Sequence, residues 1–123
     1  MSQPVILIFN FPVLLSPTGG VVRACEGDPL AISCVTDTGK IVWSIKSYGF
    51  LKAYSSITKN NDREVYFEDT ISFRLINVTG SVFTSMATAI RVPLSLSGTV
   101  ITCSDHLLPE PNIANTTLLI QGI

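Results

Sequence analysis

Leu30-Ala31-Ile32-Ser33-Cys34 alternates large apolar side chains with small or polar ones, which sets Leu30, Ile32 and Cys34 on one face of an extended strand. Lys40-Ile41-Val42-Trp43-Ser44-Ile45-Lys46 does the same, with Ile41, Trp43 and Ile45 on one face and Lys40, Val42, Ser44 and Lys46 on the other. Further along, Thr99-Val100-Ile101-Thr102-Cys103 brings Thr99, Ile101 and Cys103 together. Three strands therefore each offer an inward row, and two of those rows carry a cysteine. Two sheets packed about 10 Å apart, with a disulfide and an indole between them, bury all three rows at once. No convincing helical period of 3.6 residues is present. The expected class is all-β.

Outward from this centre, turn residues mark the strand ends. Glu26-Gly27-Asp28-Pro29 is a turn into the first quoted strand, and Ser47-Tyr48-Gly49-Phe50 a turn into a strand over 51–55. A polar loop over 58–62 and a short strand, Val65-Tyr66-Phe67, follow. Residues 71–78 alternate Ile71, Phe73 and Leu75 against Ser72, Arg74 and Ile76. Asn77-Val78-Thr79-Gly80 reads as a turn. The next strand, over 82–92, is expected to face Met86, Thr88, Ile90 and Val92 the same way. A loop then carries Asp105, His106, Pro109, Glu110 and Pro111 before a last strand over 115–121. At the other end, the apolar stretch 1–15 has no basic residue ahead of it and is broken by Asn10 and Pro12. It reads neither as a signal peptide nor as a membrane span, but as a start residue and an N-terminal strand over 5–9. Pro12 and Pro17 suit an edge strand that kinks and switches sheets, leading through Thr18-Gly19-Gly20 into a strand over 21–25.

The sequence resembles the immunoglobulin superfamily. The residues that carry the resemblance are Glu26-Gly27-Asp28, Ile32-Ser33-Cys34, Ile41-Val42-Trp43 and Gly98-Thr99-Val100-Ile101-Thr102-Cys103. Cys34, Trp43 and Cys103 form the family's Cys…Trp…Cys pattern. Ile90 matches its buried strand-E aliphatic. The resemblance implies an immunoglobulin-like β-sandwich with two antiparallel sheets, Greek-key connections and an inter-sheet bridge. It implies a core of Leu30, Ile32, Ile41, Trp43, Ile45, Ile90 and Ile101. Room for two extra strands between the half-cystines favours a variable-like set. Two positions depart from the pattern: Ile101 stands where the tyrosine corner would be, and Ser97 where an aspartate is usual.

A chain of 123 residues is expected to be a single domain over 1–123, with 1–17 as the N-terminal strand region and 18–121 as the sandwich. Net charge is −1 and charged residues make up 14%, so nothing draws it toward nucleic acid or an anionic membrane surface. Three cysteines allow three single bridges. Inward alternation selects Cys34–Cys103, whose closed loop of about 70 residues would remove roughly 4 kcal/mol of unfolded-state freedom, against roughly 2.5–3 for Cys25–Cys34. A persistent bridge implies an oxidising compartment. Cys25 is left over, either as a half-buried free thiol on an edge strand or as a bridge to another chain.

Asn77-Val78-Thr79 and Asn115-Thr116-Thr117 are N-glycosylation sequons. Catalytic and metal chemistry find little footing. His106 is the sole histidine, with no nucleophile-elbow sequence and no CxxC beside it. Asp62, Glu64, Glu68 and Asp69 cluster around Arg63 but lack calcium-loop spacing. No catalytic residue, metal ligand or cofactor is assigned. Charge is segregated instead. Lys40, Lys46, Lys52 and Lys59 fall in an acid-free stretch with Tyr48, Phe50 and Tyr54 among them, whereas 92–123 holds Asp105 and Glu110 and no Lys or Arg. The resemblance places these stretches side by side in one sheet. Lys46, Tyr48, Phe50, Lys52, Tyr54, Asp105 and Glu110 are therefore the candidate binding face, its aromatics flanked by charge suiting a protein partner or a weak antiparallel homodimer. The expected role is an extracellular recognition module of a cell-surface receptor or adhesion protein, anchored to the membrane only through a parent chain. The alternative is a spacer domain with no ligand of its own.

Overall fold

The computed structural model describes residues 13–58, 65–67, 70–105 and 113–122, of which 53, 54 and 65–67 are described as backbone only. The strand expected over 5–9, the acidic group at 62–69, Lys59, His106 and Glu110 lie outside them. Among the described residues the chain forms β1 (Leu14–Ser16), β2 (Val21–Cys25), β3 (Leu30–Thr36), β4 (Lys40–Ser47), β5 (Phe50–Thr58), β6 (Val65–Phe67), β7 (Ile71–Thr79), β8 (Val82–Ala89), β9 (Val100–Ser104) and β10 (Ile113–Gln121). A 3₁₀ turn, Leu94–Leu96, precedes β9. One sheet runs β1-β3-β8-β7-β6 and the other β2-β10-β9-β4-β5. The fold is an immunoglobulin-like all-β sandwich.

The first quoted strands behave as alternation dictates. Leu30, Ile32 and Cys34 of β3, Ile41, Trp43 and Ile45 of β4, and Ile101 and Cys103 of β9 all point into one cluster and are buried. The Cys34–Cys103 disulfide ties β3 to β9 across the two sheets, its Cα atoms 6.4 Å apart. Trp43 is fully buried, its ring centroid 5.3 Å from that of Phe73. An indole N–H in such a place needs a partner. Trp43 Nε1 donates to Ser85 Oγ at 2.9 Å, and Ser85 Oγ donates in turn to the Arg74 carbonyl at 2.7 Å. The one hydroxyl thus serves as acceptor and donor at once.

Three expectations are corrected. The first concerns sheet direction. β2 runs parallel to β10, from Val21 opposite Thr117 to Cys25 opposite Gln121, so the second sheet is mixed. The chain leaves the first sheet after β1, which lies against β10, and crosses to the adjacent edge of the other sheet beside β10, with no tight hairpin joining β2 to β10 to make that pair antiparallel. The second concerns β7, which continues through Thr79 and turns at Gly80–Ser81, so Asn77 lies on a strand opposite Thr84. The third concerns Ile90, expected in the core and in fact 87% exposed.

The phase of β8 explains Ile90. β8 pairs β3 with Cys34 opposite Ser85, Ile32 opposite Ala87 and Leu30 opposite Ala89. Residues directly opposite share a face, so the inward row is Phe83, Ser85, Ala87 and Ala89, and Met86 and Thr88 turn outward. Small residues are what the neighbouring rings leave room for, since Ala87 also sits opposite Phe73. Beyond Ala89 the strand breaks and Val92 N–H bonds to the Asp28 carbonyl, which leaves Ile90 on a bend. Ile90→Ser is therefore expected to shift the unfolding free energy by no more than about 0.5 kcal/mol, as for an ordinary surface change. A urea titration checks it; a loss near 2 kcal/mol would restore Ile90 to the core.

Candidate functional site

The β4–β5 corner of the β2-β10-β9-β4-β5 sheet exposes several large side chains. β4 and β5 are joined by Tyr48 and Gly49, with Ser47 opposite Phe50. A two-residue hairpin of this kind takes the type I′ turn, which needs φ above zero at both central residues. Gly49 has φ 80° and Tyr48 has φ 52°. Gly49 meets this without penalty. Tyr48 does not, because a side chain in the left-handed region costs roughly 1–2 kcal/mol. The side chain gains nothing from the core in return: Tyr48 is 92% exposed.

Its neighbours share that exposure. Phe50 is 69% exposed and Leu51 57%. The register shifts between Ile45 and Lys46, which pair with Ala53 and Leu51, so Lys52 is the extra residue of a β-bulge. A bulge bends and twists its strand and re-aims side chains. Lys46 and Lys52 are both exposed, Lys46 directly opposite Leu51 and Lys52 next to it along β5. The corner therefore exposes aromatic and aliphatic side chains with two lysines beside them, Leu51 on the face it shares with Lys46 and Phe50 on the face it shares with Ser47. Leu51 was not singled out by the sequence, where its neighbour Phe50 drew the notice; a strict two-residue period would have turned one of the two inward. Tyr54 falls in β5 opposite Ser44, its side chain outside the description.

The acidic half of the expected face is not present as expected. Asp105, placed on an exposed loop by the sequence, follows directly on β9 and is only 1% exposed, so its carboxylate has no open surface to offer a partner. Val42 and Ser104, which pair across β4 and β9 near it, are buried as well. Ile113, opposite Ser104 on β10, is exposed at that end, and the β4–β5 corner is at the other end of the sheet. Among the described residues no three acidic, histidine or cysteine side chains converge on a metal-sized site.

Cys25 is a free, exposed thiol at the end of β2, an edge strand, where the sequence left it either a half-buried free thiol or a bridge to another chain. Its backbone N–H donates to Asp28 Oδ2 at 3.0 Å, closing the turn into β3. Both sequon asparagines, Asn77 and Asn115, are exposed. Ser97, at the position where the resembled family carries an aspartate, has its own use: Ile120 N–H donates to Ser97 Oγ at 2.9 Å and fastens β10 to the turn before β9. The buried disulfide is of the kind that forms and persists in an oxidising compartment. Compared with known proteins, the sequence matches no family model, and no curated protein matches it.

Proposed function

We propose that this chain is an immunoglobulin-superfamily domain of the metazoan cell-surface kind, serving as an extracellular recognition module that docks a protein partner at the β4–β5 corner of the β2-β10-β9-β4-β5 sheet. The carrying observation is Tyr48, held in a left-handed conformation at a hairpin tip with its ring in solvent. Asn-Gly would make the same turn without strain. Backbone strain kept where it stabilises nothing is a mark of a functional position. Exposed aromatics beside lysines supply what a docking hot spot needs: apolar area with few rotors, and charge to steer approach. Two copies meeting corner to corner would bring lysines against lysines, so the reading favours a partner of different sequence with an acidic rim.

The test separates docking from folding. Tyr48→Asn relieves the turn and removes the ring. It is expected to leave stability unchanged or raise it by about 0.5–1 kcal/mol. It should weaken partner binding about 30-fold, the loss of one hot spot of about 2 kcal/mol. Binding is read against a panel of purified ectodomains by surface plasmon resonance, with Lys46→Glu/Lys52→Glu as a second variant that should slow association chiefly at low salt. A panel hit that neither variant weakens would place recognition elsewhere on the domain.

A further inference from the structure

We propose that Asn115 carries an N-linked glycan that shields the centre of the β2-β10-β9-β4-β5 sheet and so confines docking to the β4–β5 corner. The inference rests on the extracellular reading above, since only a chain in the secretory route meets the modifying enzyme. The register is what carries it. Asn115 pairs with Thr102 and Thr102 with Ser44, so these three form one transverse row across β10, β9 and β4. Trp43, Cys103 and Thr116, the sequence neighbours of that row, are buried, and Asn115 itself is exposed, so the row faces outward. Nothing in it is charged. Thr117, the hydroxyl residue of the sequon, stands two positions on along β10, on the same outward side and paired with Val100.

The second sequon shows the same outward display by a different device. In β7, Ile71 and Phe73 are buried and Leu75 is packed against the core. Continued alternation would turn Asn77 inward as well. The register shifts between Leu75 and Asn77, leaving Ile76 as the unpaired bulge residue and setting Asn77 opposite Thr84, on the outer face. The bulge reverses the phase so that the asparagine is outside and Val78 is inside, packed against the core. The two sequons therefore project from the outer faces of opposite sheets, where a bulky polar substituent is compatible with the packed sandwich.

The transfer balances simply. Asn115 Nδ2 attacks C1 of the first N-acetylglucosamine of a lipid-diphosphate-linked oligosaccharide. The N–C1 bond forms, the C1–O bond to the diphosphate breaks, the lipid diphosphate leaves with that electron pair, and the amide gives up one proton to a base. Nothing is oxidised or reduced. In the folded chain the glycan root stands about 12 Å from Lys46, two strands across and two residues along, and close above Thr102 and Ser44. A partner can reach Tyr48 past it but cannot lie flat on the sheet.

The experiment uses the chain secreted from a eukaryotic cell line. Peptide mass after amide-cleaving glycosidase, which leaves an aspartate where the glycan stood, reads each site without any partner. An aspartate mass at position 115 is expected, and it should vanish in Thr117→Ala, which keeps the asparagine. Shielding is read in a Cys25→Ser background by the maleimide reaction rate of Thr102→Cys, with Ser44→Cys as a second reporter in the same row. Both should react several-fold faster when Thr117→Ala removes the glycan, and Lys46→Cys at an unchanged rate. An unmodified position 115, or reporters indifferent to Thr117→Ala, overturns the inference. Loss of docking at Tyr48 with the glycan in place would instead count only against the partner reading.

Discussion

Cys34→Ala combined with Cys103→Ala should lower the unfolding free energy by about 4 kcal/mol, mostly by freeing the unfolded chain. The bridge closes a loop spanning 69 positions of sequence, a large share of the domain. Both half-cystines are fully buried, so a small packing loss adds to the entropic one. Against a typical total of about 5–15 kcal/mol, such a loss takes about a quarter or more of the stability of the domain. The alanine pair is the cleaner form of the experiment, because simple reduction leaves three thiols. Cys25, exposed at the end of β2, would then be available to Cys34 or Cys103 in the unfolded chain and could trap a non-native bridge. Urea titrations of the oxidised domain and the double variant, both in a Cys25→Ser background, give the difference directly. A drop below about 1 kcal/mol would mean that the unfolded chain is already compact enough for the bridge to constrain little.

What the sequence showed, and what it hid, follows from where the information lies. β3 and β4 were legible because their inward residues are the large ones: Leu30, Ile32, Ile41, Trp43 and Ile45 are apolar and their neighbours mostly are not. β8 inverts that relation. Its inward row is Phe83, Ser85, Ala87 and Ala89, three of them small, while Met86 lies on the other face and Ile90 on the bend beyond. Local hydrophobicity therefore picks the wrong phase, and only pairing with β3, some fifty residues away, sets it right. The bulges at Ile76 and Lys52 are hidden for the same reason, because a bulge is a property of two strands and not of one. The exposure of the candidate face was half legible. Lys46, Tyr48, Phe50 and Lys52 are on the surface as their turn and alternation imply, whereas burial of Asp105 depends on how the end of β9 is covered.

Trp43→Ala is expected to cost about 3–5 kcal/mol, the range for emptying a fully buried large aromatic site. Part of that cost is polar. Removing the indole also removes the donor that Ser85 Oγ accepts, while Ser85 keeps its own bond to the Arg74 carbonyl. The reverse change is less forgiving: Ser85→Ala leaves a buried indole N–H and the Arg74 carbonyl each short of a partner, at about 1–3 kcal/mol. Trp43→Phe with Ser85→Ala together should then cost less than the two separately, because the phenyl ring needs no acceptor. A double-mutant cycle in urea reads this coupling; strict additivity would mean that the hydrogen bond carries no net weight. The consequence reaches the proposed docking corner through β4. Trp43 holds the middle of that strand in the core, and three residues on, just past the register shift, Lys46 leads into the strained Tyr48 turn. A hairpin can hold an aromatic residue in an unfavourable conformation only if the strands beneath it cannot relax. Trp43→Phe should therefore soften partner binding at Tyr48 even though neither Trp43 nor Ser85 is exposed to a partner. Unchanged binding in a measurably destabilised Trp43→Phe domain would show that the turn keeps its geometry without the core's help.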